Sequence, residues 1–232
     1  MRQRRTSSGE SIAMASALLK SGGSETGWSG LFGDRFAPAG LRHYEGAIDE
    51  ATEARLAKWI DEQPWIEDLS RRVQHYGWRY DYRARGITSD AHLGPLPHPL
   101  KELADGFVAR GFLGEQPDQA IVNEYLPGQG IAAHIDCAPC FGEESATLSL
   151  LDSYPMEFSR PSTDESCTVW LAQRSLCVMA GECRWSWRHG IAKRKSDPVS
   201  GGGRKSRGRR VSITFRRVVI SRGAKAPACV NA

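Results

Sequence analysis

The series of short, strand-like runs after about Gln119 constrains the fold of this chain more than any other sequence feature. Each run is rich in branched and aromatic residues, which favour strands, and turn-forming residues such as Pro127-Gly128 and the glycines at 201–203 separate the runs. Many short strands at this spacing are typical of an antiparallel barrel or a double-sheet jelly roll. We therefore predict strands at 120–125, 147–151, 168–171, 175–179, 185–188 and 211–220.

Two amphipathic helices are predicted before this series of strands. The first covers 49–63, where Leu56 and Ile60 share one side and Pro64 stops the helix. The second opens at Pro99 and ends near Gly111. An apolar side on each helix suits packing against a sheet. The predicted fold class is therefore α+β, mainly β: a jelly roll with N-terminal helices packed on the sheet.

Length and composition indicate one domain. The chain has 232 residues, of which 40% are hydrophobic and 25% charged, and these values are ordinary for a soluble globular domain. We expect the domain to cover 35–220, between a flexible Ser- and Gly-rich N-terminal tail at 1–34 and a C-terminal tail at 221–232. A targeting peptide is the second interpretation of the N-terminal tail, which is also Arg-rich. No run approaches the roughly 18 apolar residues that span a membrane, so we expect no membrane partner. We predict a cytoplasmic location and no obligate protein partner.

The six cysteines are expected to be reduced thiols, because no secretion signal is recognisable. Cys137 and Cys140 form a single C-x-x-C pair. A zinc site usually needs four ligands, and no second pair follows. Structural or incidental thiols are therefore favoured over a zinc site.

His134-Ile-Asp136 is the first feature that carries chemistry. Residues two apart on a strand point to the same face, so this imidazole and this carboxylate can reach one ion together. His189, which precedes Gly190, is the best candidate for a third ligand. Two histidines and one carboxylate form the facial triad of non-haem iron oxygenases, with three positions left open. The pair alone is also compatible with surface or capping chemistry.

A second group of polar residues lies on predicted strands. In 210–216, alternation places Arg210, Ser212, Thr214 and Arg216 on one face, where two arginines suit an anionic ligand. Because six residues of strand span about 20 Å, the two arginines are expected to act at different points. Asn123 and Tyr125 also share a face and offer an amide and a phenol to an oxygen-rich ligand. An exposed basic edge strand and a strand with one buried tyrosine are the structural alternatives.

Taken together, these residues resemble the AlkB family of oxygenases. The matching elements occur in the expected order between about 118 and 217, and they are Asn123-x-Tyr125, Pro127-Gly128, His134-x-Asp136, His189-Gly190 and Arg210-x5-Arg216. Segments such as 72–77, 125–136 and 178–182 are more similar still to the subgroup that includes the animal hydroxylase of a wobble uridine in transfer RNA. That animal enzyme carries further domains, for which we expect this chain to have no room.

The resemblance implies a double-stranded β-helix and an enzyme that uses Fe(II), 2-oxoglutarate and O2. It implies that His134, Asp136 and His189 bind the iron and that Arg210 pairs with the distal carboxylate of 2-oxoglutarate. Asn123, Tyr125 and Arg216 would complete the cosubstrate pocket. Members that repair DNA commonly have an acidic residue two positions after the metal-binding aspartate, and Ala138 stands there in this sequence. This departure argues against base repair of that kind.

Two regions suggest a nucleic-acid substrate, whether single-stranded DNA, RNA or tRNA. In 75–85, aromatic and basic residues alternate, and Tyr76, Trp78, Tyr80 and Arg79 are the tentative substrate residues because they suit base stacking and phosphate contact. The block 193–210 contains eight basic residues and one acid, Asp197. An amphipathic strand and a solvated loop are the structural alternatives. An oxygenase acting on a protein or a small molecule, and a barrel that binds without turnover, are the alternative functions.

Overall fold

Two antiparallel β-sheets face each other in this computed structural model, which describes residues 37–67, 69–199 and 201–219. The predicted tails 1–34 and 221–232 therefore lie outside the described residues. In chain order the strands of the described residues are β1 (Leu41–Tyr44), β2 (Val73–Tyr76), β3 (Gln119–Tyr125), β4 (Ile131–His134), β5 (Phe141–Leu150), β6 (Tyr154–Ser159), β7 (Ser166–Leu171), β8 (Leu176–Met179), β9 (Arg188–Ile191), β10 (Ser196–Pro198), β11 (Arg204–Ser206) and β12 (Arg210–Val218).

The strand order is that of a double-stranded β-helix. The larger sheet has the order β1-β8-β5-β12-β3-β2, the smaller sheet has the order β4-β9-β6-β7, and β10 and β11 pair separately as a hairpin. All pairings are antiparallel among these strands. The predicted fold class is confirmed.

Helices α1 (Glu50–Asp61) and α2 (His98–Ala109) pack on the outer face of the larger sheet. Asp49 caps α1 by accepting a hydrogen bond from the backbone N–H of Thr52 at 2.7 Å, and Pro99 lies in the first turn of α2. Leu56 and Leu100 belong to the core cluster that these helices form with the sheet. Both predicted helices are confirmed, and their ends lie within two residues of the predicted ones.

A second core lies between the two sheets. Tyr125 and Met179 of the larger sheet pack with Met156, Phe158 and Leu171 of the smaller sheet. This core fills one part of the space between the sheets. The rest of that space is open, and the polar residues predicted for the site line it.

The predicted strand at 185–188 is wrong. Its first two residues belong to a short helix, α3 (Gly181–Ser186), and β9 begins only at Arg188 and continues past Gly190 to Ile191. The physical reason is a tertiary contact, because the helical turn buries Arg184 and its guanidinium donates to the carbonyl oxygen of Asp136 at 3.1 Å. Short apolar runs favour strands only weakly against such contacts.

The prediction of reduced thiols is wrong for Cys137 and Cys140, which form a disulfide. Both residues are buried, in a small cluster with Phe141 and Val218. The disulfide begins one residue after Asp136, so it restrains the loop that carries this carboxylate. Cys167, Cys177 and Cys183 are free.

Candidate active site

All seven residues predicted for the metal and the cosubstrate line a single cavity of about 950 Å³ between the sheets. Strands of both sheets contribute to its wall, because alternate side chains of each strand point into the space between them. The predicted residues in the wall are Asn123, Tyr125, His134, Asp136, His189, Arg210 and Arg216. Strand geometry therefore brings together residues that are up to 93 positions apart in the sequence (216 minus 123).

His134, Asp136 and His189 stand close enough to hold one metal ion. His134 and His189 lie opposite each other where β4 pairs with β9, and their ring centroids are 4.5 Å apart. Asp136 follows the end of β4, and its Oδ1 lies 3.6 Å from His134 Nε2. One ligand atom from each of the three residues lies within 4.8 Å of the others. This donor set of two imidazoles and one carboxylate is the one that suits non-haem Fe(II).

The surroundings of His134 and His189 favour the form of each ring that can bind a metal. His134 Nδ1 lies 2.8 Å from the carbonyl oxygen of Ala132, and an N–H at Nδ1 would leave the lone pair of Nε2 facing Asp136. Burial and the neighbouring His134 lower the pKa of His189 to about 3, so its ring is neutral. A neutral imidazole is the form that binds a metal.

Arg216 holds the carboxylate of Asp136. Its Nε and Nη2 donate to the two carboxylate oxygens at 2.9 and 3.0 Å, which is a bidentate pair. Burial raises the pKa of the Asp136 carboxyl, but the charge of Arg216 and the contact with His134 outweigh burial, and the pKa lies well below its usual value. The carboxylate is therefore ionised and fixed in orientation.

Arg210 lies at another part of the cavity wall and has no acidic partner among the described residues. Its side chain is fully buried, Nη2 donates to Ser149 Oγ at 2.7 Å, and its guanidinium carbon lies 5.4 Å from the centre of the Tyr125 ring. In the described part of the chain, no acceptor serves its Nε or its Nη1. A buried guanidinium with two unused donors suits a carboxylate, which can accept both hydrogen bonds.

The sequence did not single out Arg71, although this arginine also lines the cavity. It is 9% exposed, and its Nε donates to Asn123 Oδ1 at 2.9 Å. Its neighbour Arg72 instead forms two hydrogen bonds with Glu124, at 2.6 and 2.8 Å. Neither residue type nor spacing distinguishes the two arginines. Both precede β2, and their positions beside Asn123 and Glu124 of β3 decide which one faces the cavity.

Only one of the four tentative substrate residues lines the cavity. Tyr80 does, together with Tyr82 and Phe141, and we call these three residues the aromatic wall. Their rings are in contact, with centroids 5.2 Å apart for Tyr80 and Tyr82 and 5.8 Å for Tyr80 and Phe141.

The other three tentative residues are absent from the cavity lining. Tyr76 packs against Trp59 of α1, Trp78 packs against His92, and Arg79 is exposed. Some side chains of the segment 75–85 therefore pack against other parts of the protein, and others line the cavity. The segment is not a regular strand with two alternating faces.

The basic block at 193–210 is less available to a partner than its composition suggests. Four of its eight basic side chains form ion pairs with acids: Arg194 with Glu157, Lys205 with Asp152, Arg207 with Asp197, and Arg209 with Asp61 and Glu124. Arg210, a fifth, is fully buried in the cavity wall. Lys193, Lys195 and Arg204 are the exposed members without an acid partner in the described residues.

Two facing antiparallel sheets with a candidate facial triad and a buried arginine with unused donors are the arrangement expected of a non-haem iron oxygenase. The chain belongs to the 2OG-Fe(II) oxygenase superfamily, whose sequence profile matches residues 48–216, and within it to the AlkB family. It is therefore a 2-oxoglutarate-dependent dioxygenase, and its family uses Fe(II), 2-oxoglutarate and O2. The triad and the two unused donors of Arg210 fit these groups.

Two relatives place the chain near one AlkB subgroup. It is 36% identical to the tRNA (carboxymethyluridine(34)-5-O)-methyltransferase ALKBH8 of Macaca fascicularis, over 78% of this chain and 31% of that protein. It is 33% identical to the alkylated DNA repair protein ALKBH8 homolog of Arabidopsis thaliana, over 74% of this chain and 56% of that protein. The chain thus spans about a third of the length of the first relative.

A solved structure shows the same fold. The structure of OsALKBH1 superposes with a TM-score of 0.57 at 18% identity, over 78% of this chain and 98% of that one. Among the described residues, no helix has the length and apolar character needed to cross a membrane.

Proposed function

We propose that the chain oxidises modified nucleobases in RNA or DNA, by hydroxylation or by N-demethylation. The observation that carries this proposal is the single cavity of about 950 Å³ that contains the triad, Arg210 and the aromatic wall. A base can stack on Tyr80 or Tyr82 while it points toward the metal ligands, as enzymes that act on an extruded base require. The name of the Macaca relative, which refers to a tRNA uridine, supports the same class of substrate.

In this proposal, His134, Asp136 and His189 bind Fe(II), and Arg210 binds the distal carboxylate of 2-oxoglutarate. Asn123 and Tyr125 complete the wall of the cosubstrate pocket. When bound, Fe(II), 2-oxoglutarate and O2 would supply the oxidant: one oxygen atom of O2 would enter succinate as 2-oxoglutarate loses carbon dioxide, and the other would enter the substrate. Arg216 keeps the Asp136 carboxylate ionised and oriented, and burial keeps His189 neutral. The proposed domain is 35–220, as the sequence indicates.

An iron-dependent succinate assay tests the proposal. We would compare methylated single-stranded DNA, methylated RNA and bulk tRNA, and the His134→Ala variant would give the background rate. We expect succinate to rise above the substrate-free rate with at least one of the three. Turnover with tRNA alone would reject DNA repair as the main role.

The paired state of the basic block favours a second candidate, an oxygenase that acts on a protein or a small molecule. Since four of its eight cations already have acidic partners, this block contributes less to phosphate binding than its composition indicates. Failure of all three nucleic acids in the succinate assay, with substrate-free turnover intact, would favour this candidate.

A further inference from the structure

Arg71 is a buried cation that the proposed chemistry does not use. Its side chain lies at the cavity wall beside Asn123 and 5.9 Å from the centre of the Tyr125 ring. The hydrogen bond from Nε to Asn123 Oδ1 fixes the plane of the guanidinium. Among the described residues, Arg71 forms no ion pair with an acid. Its hydrogen-bond partner is the neutral amide of Asn123, and burial of a charge that no opposite charge compensates is costly, so an anion bound in this cavity would be favoured.

The charges that line the cavity do not balance. Three largely buried arginines contribute to its wall, at positions 71, 210 and 216, and Asp136 is the single carboxylate among the described residues that line it. Arg216 is paired with Asp136, and Arg210 takes one carboxylate of 2-oxoglutarate under the proposed function. The two charges of Fe(II) and the two of 2-oxoglutarate cancel, so binding of both leaves the excess of positive charge unchanged. An anionic substrate is therefore favoured over a neutral one.

Arg71 lines the same cavity as the residues proposed for the cosubstrate and for the base. Its neighbours Asn123 and Tyr125 belong to the proposed cosubstrate pocket. Tyr82 of the aromatic wall lines this cavity too. Burial raises the pKa of Tyr82, and the positive charge of Arg71 opposes that rise. Arg71 and Tyr82 can therefore both face a ligand bound in this cavity.

We propose that Arg71 binds an anionic oxygen group carried by the target nucleotide and thereby selects the substrate. This inference rests on the proposed nucleic-acid function. The group is a backbone phosphate beside the target base or a carboxylate on the base itself, and a guanidinium recognises either through two parallel hydrogen bonds. Arg71 is a specificity residue in this proposal, and it takes no part in holding 2-oxoglutarate.

The test compares Arg71→Gln with Arg55→Gln in the full chain loaded with iron and 2-oxoglutarate without oxygen. Arg55 is an exposed residue of α1, so its substitution removes the same charge on the far side of the larger sheet. We expect Arg71→Gln to weaken binding of a fluorescent single-stranded RNA about tenfold and to reduce the salt dependence by about one phosphate contact. Arg55→Gln should change the affinity less than twofold. Arg71→Lys should lie between the wild type and Arg71→Gln.

Substrate-free succinate formation separates this role from cosubstrate binding. Because glutamine keeps an N–H donor for Asn123 Oδ1, the KM for 2-oxoglutarate should change much less in Arg71→Gln than the RNA affinity does. A raised KM with unchanged RNA affinity would assign Arg71 to the cosubstrate pocket and overturn the proposal. RNA affinity and KM that both stay unchanged would overturn it as well, while the nucleic-acid function would stand.

Two further comparisons identify the anion and separate the two proposals. A neutral methylphosphonate beside the target nucleotide should abolish the difference between the wild type and Arg71→Gln if the group is a phosphate. A carboxymethyl base and its neutral amide make the same comparison for a carboxylate.

If the wild type binds neither RNA nor DNA, the proposed function fails. In that case the increase in Tm with inorganic phosphate still tests Arg71, because the proposal requires a smaller increase in Arg71→Gln, and equal increases would overturn it.

Discussion

Arg210 and Arg207 are both fully buried, and their substitution by methionine should have opposite effects on stability. Arg207 pairs with the buried Asp197 through two hydrogen bonds, at 2.5 and 2.7 Å. Arg210 has one hydrogen bond, to Ser149 Oγ, and two donors without acceptors in the described residues. Arg207 is part of a buried ion pair, whereas Arg210 is a buried charge without an acidic partner among the described residues.

The magnitudes follow from this difference. Arg207→Met leaves Asp197 buried without a partner, which should lower the free energy of unfolding by about 3–5 kcal/mol. Arg210→Met removes a desolvated cation whose burial costs several kcal/mol and loses one hydrogen bond worth about 1 kcal/mol. We therefore expect Arg210→Met without ligand to be as stable as the wild type or more stable, by up to about 3 kcal/mol.

Function should change in the other direction. Two charge-assisted hydrogen bonds to the cosubstrate, each worth about 1.5–3 kcal/mol, correspond to a loss of affinity of about 100-fold to 10,000-fold in Arg210→Met. At a concentration of 100 times the dissociation constant, 2-oxoglutarate should stabilise the wild type by about 2.7 kcal/mol. The same concentration should leave the melting of Arg210→Met almost unchanged.

Chemical denaturation with and without 2-oxoglutarate, under iron and without oxygen, measures both effects on the same samples. Substrate-free succinate formation gives the KM for 2-oxoglutarate. A loss of more than 2 kcal/mol of stability in ligand-free Arg210→Met would refute the reasoning, because it would make this guanidinium a structural group. An unchanged KM would refute the assignment of the cosubstrate carboxylate.

Three further changes test the metal site and its supports. His134→Ala should lower iron affinity at least 100-fold, since it removes one of three ligands, and full succinate formation in this variant would exclude the metal assignment. Replacing both Cys137 and Cys140 by Ser should lower the free energy of unfolding by about 2 kcal/mol, the loop-closure value for so short a loop, and an unchanged denaturation midpoint would contradict it. Gly190→Ala should weaken iron binding and lower the Tm, because the new Cβ would lie 2.9 Å from backbone atoms of Ala133 and push β9 away from β4. Retained iron affinity and Tm in that variant would show that the two strands can separate without disturbing the ligands.

The fold and the proximity of the three candidate metal ligands could be predicted because their signals are local. Strand spacing and turn residues indicated the jelly roll, and the two-residue separation of His134 and Asp136 indicated ligands on one side of a chain segment. The structure adds a detail that the pattern lacked, since β4 ends at His134 and Asp136 lies just beyond it. The carboxylate is placed by Arg216 and by the contact of Arg184 with its backbone, and not by strand alternation.

Features that depend on pairing between distant segments were not predictable. Arg71 and Arg72 are chemically identical, and their different roles come from the alternation of Asn123 and Glu124 on the neighbouring strand β3. Likewise, Tyr76 and Tyr80 have the same side chain, but one packs under a helix and the other lines the cavity. The aromatic and basic composition of 75–85 suggested a substrate-binding segment, but it did not indicate which of its residues line the cavity.

Strand β12 carries two arginines that have different partners in the cavity wall. Its alternation places Arg210, Ser212, Thr214 and Arg216 in the cavity wall, and six residues of strand separate the two arginines by about 20 Å. They cannot bind one carboxylate together, and the structure shows Arg216 on Asp136 and Arg210 on Ser149. One arginine therefore fixes a carboxylate that belongs to the protein, while the other has two donors without acceptors among the described residues. Because only the first arginine has an acidic partner in this part of the chain, the arrangement supports the proposal that a ligand carboxylate binds the second.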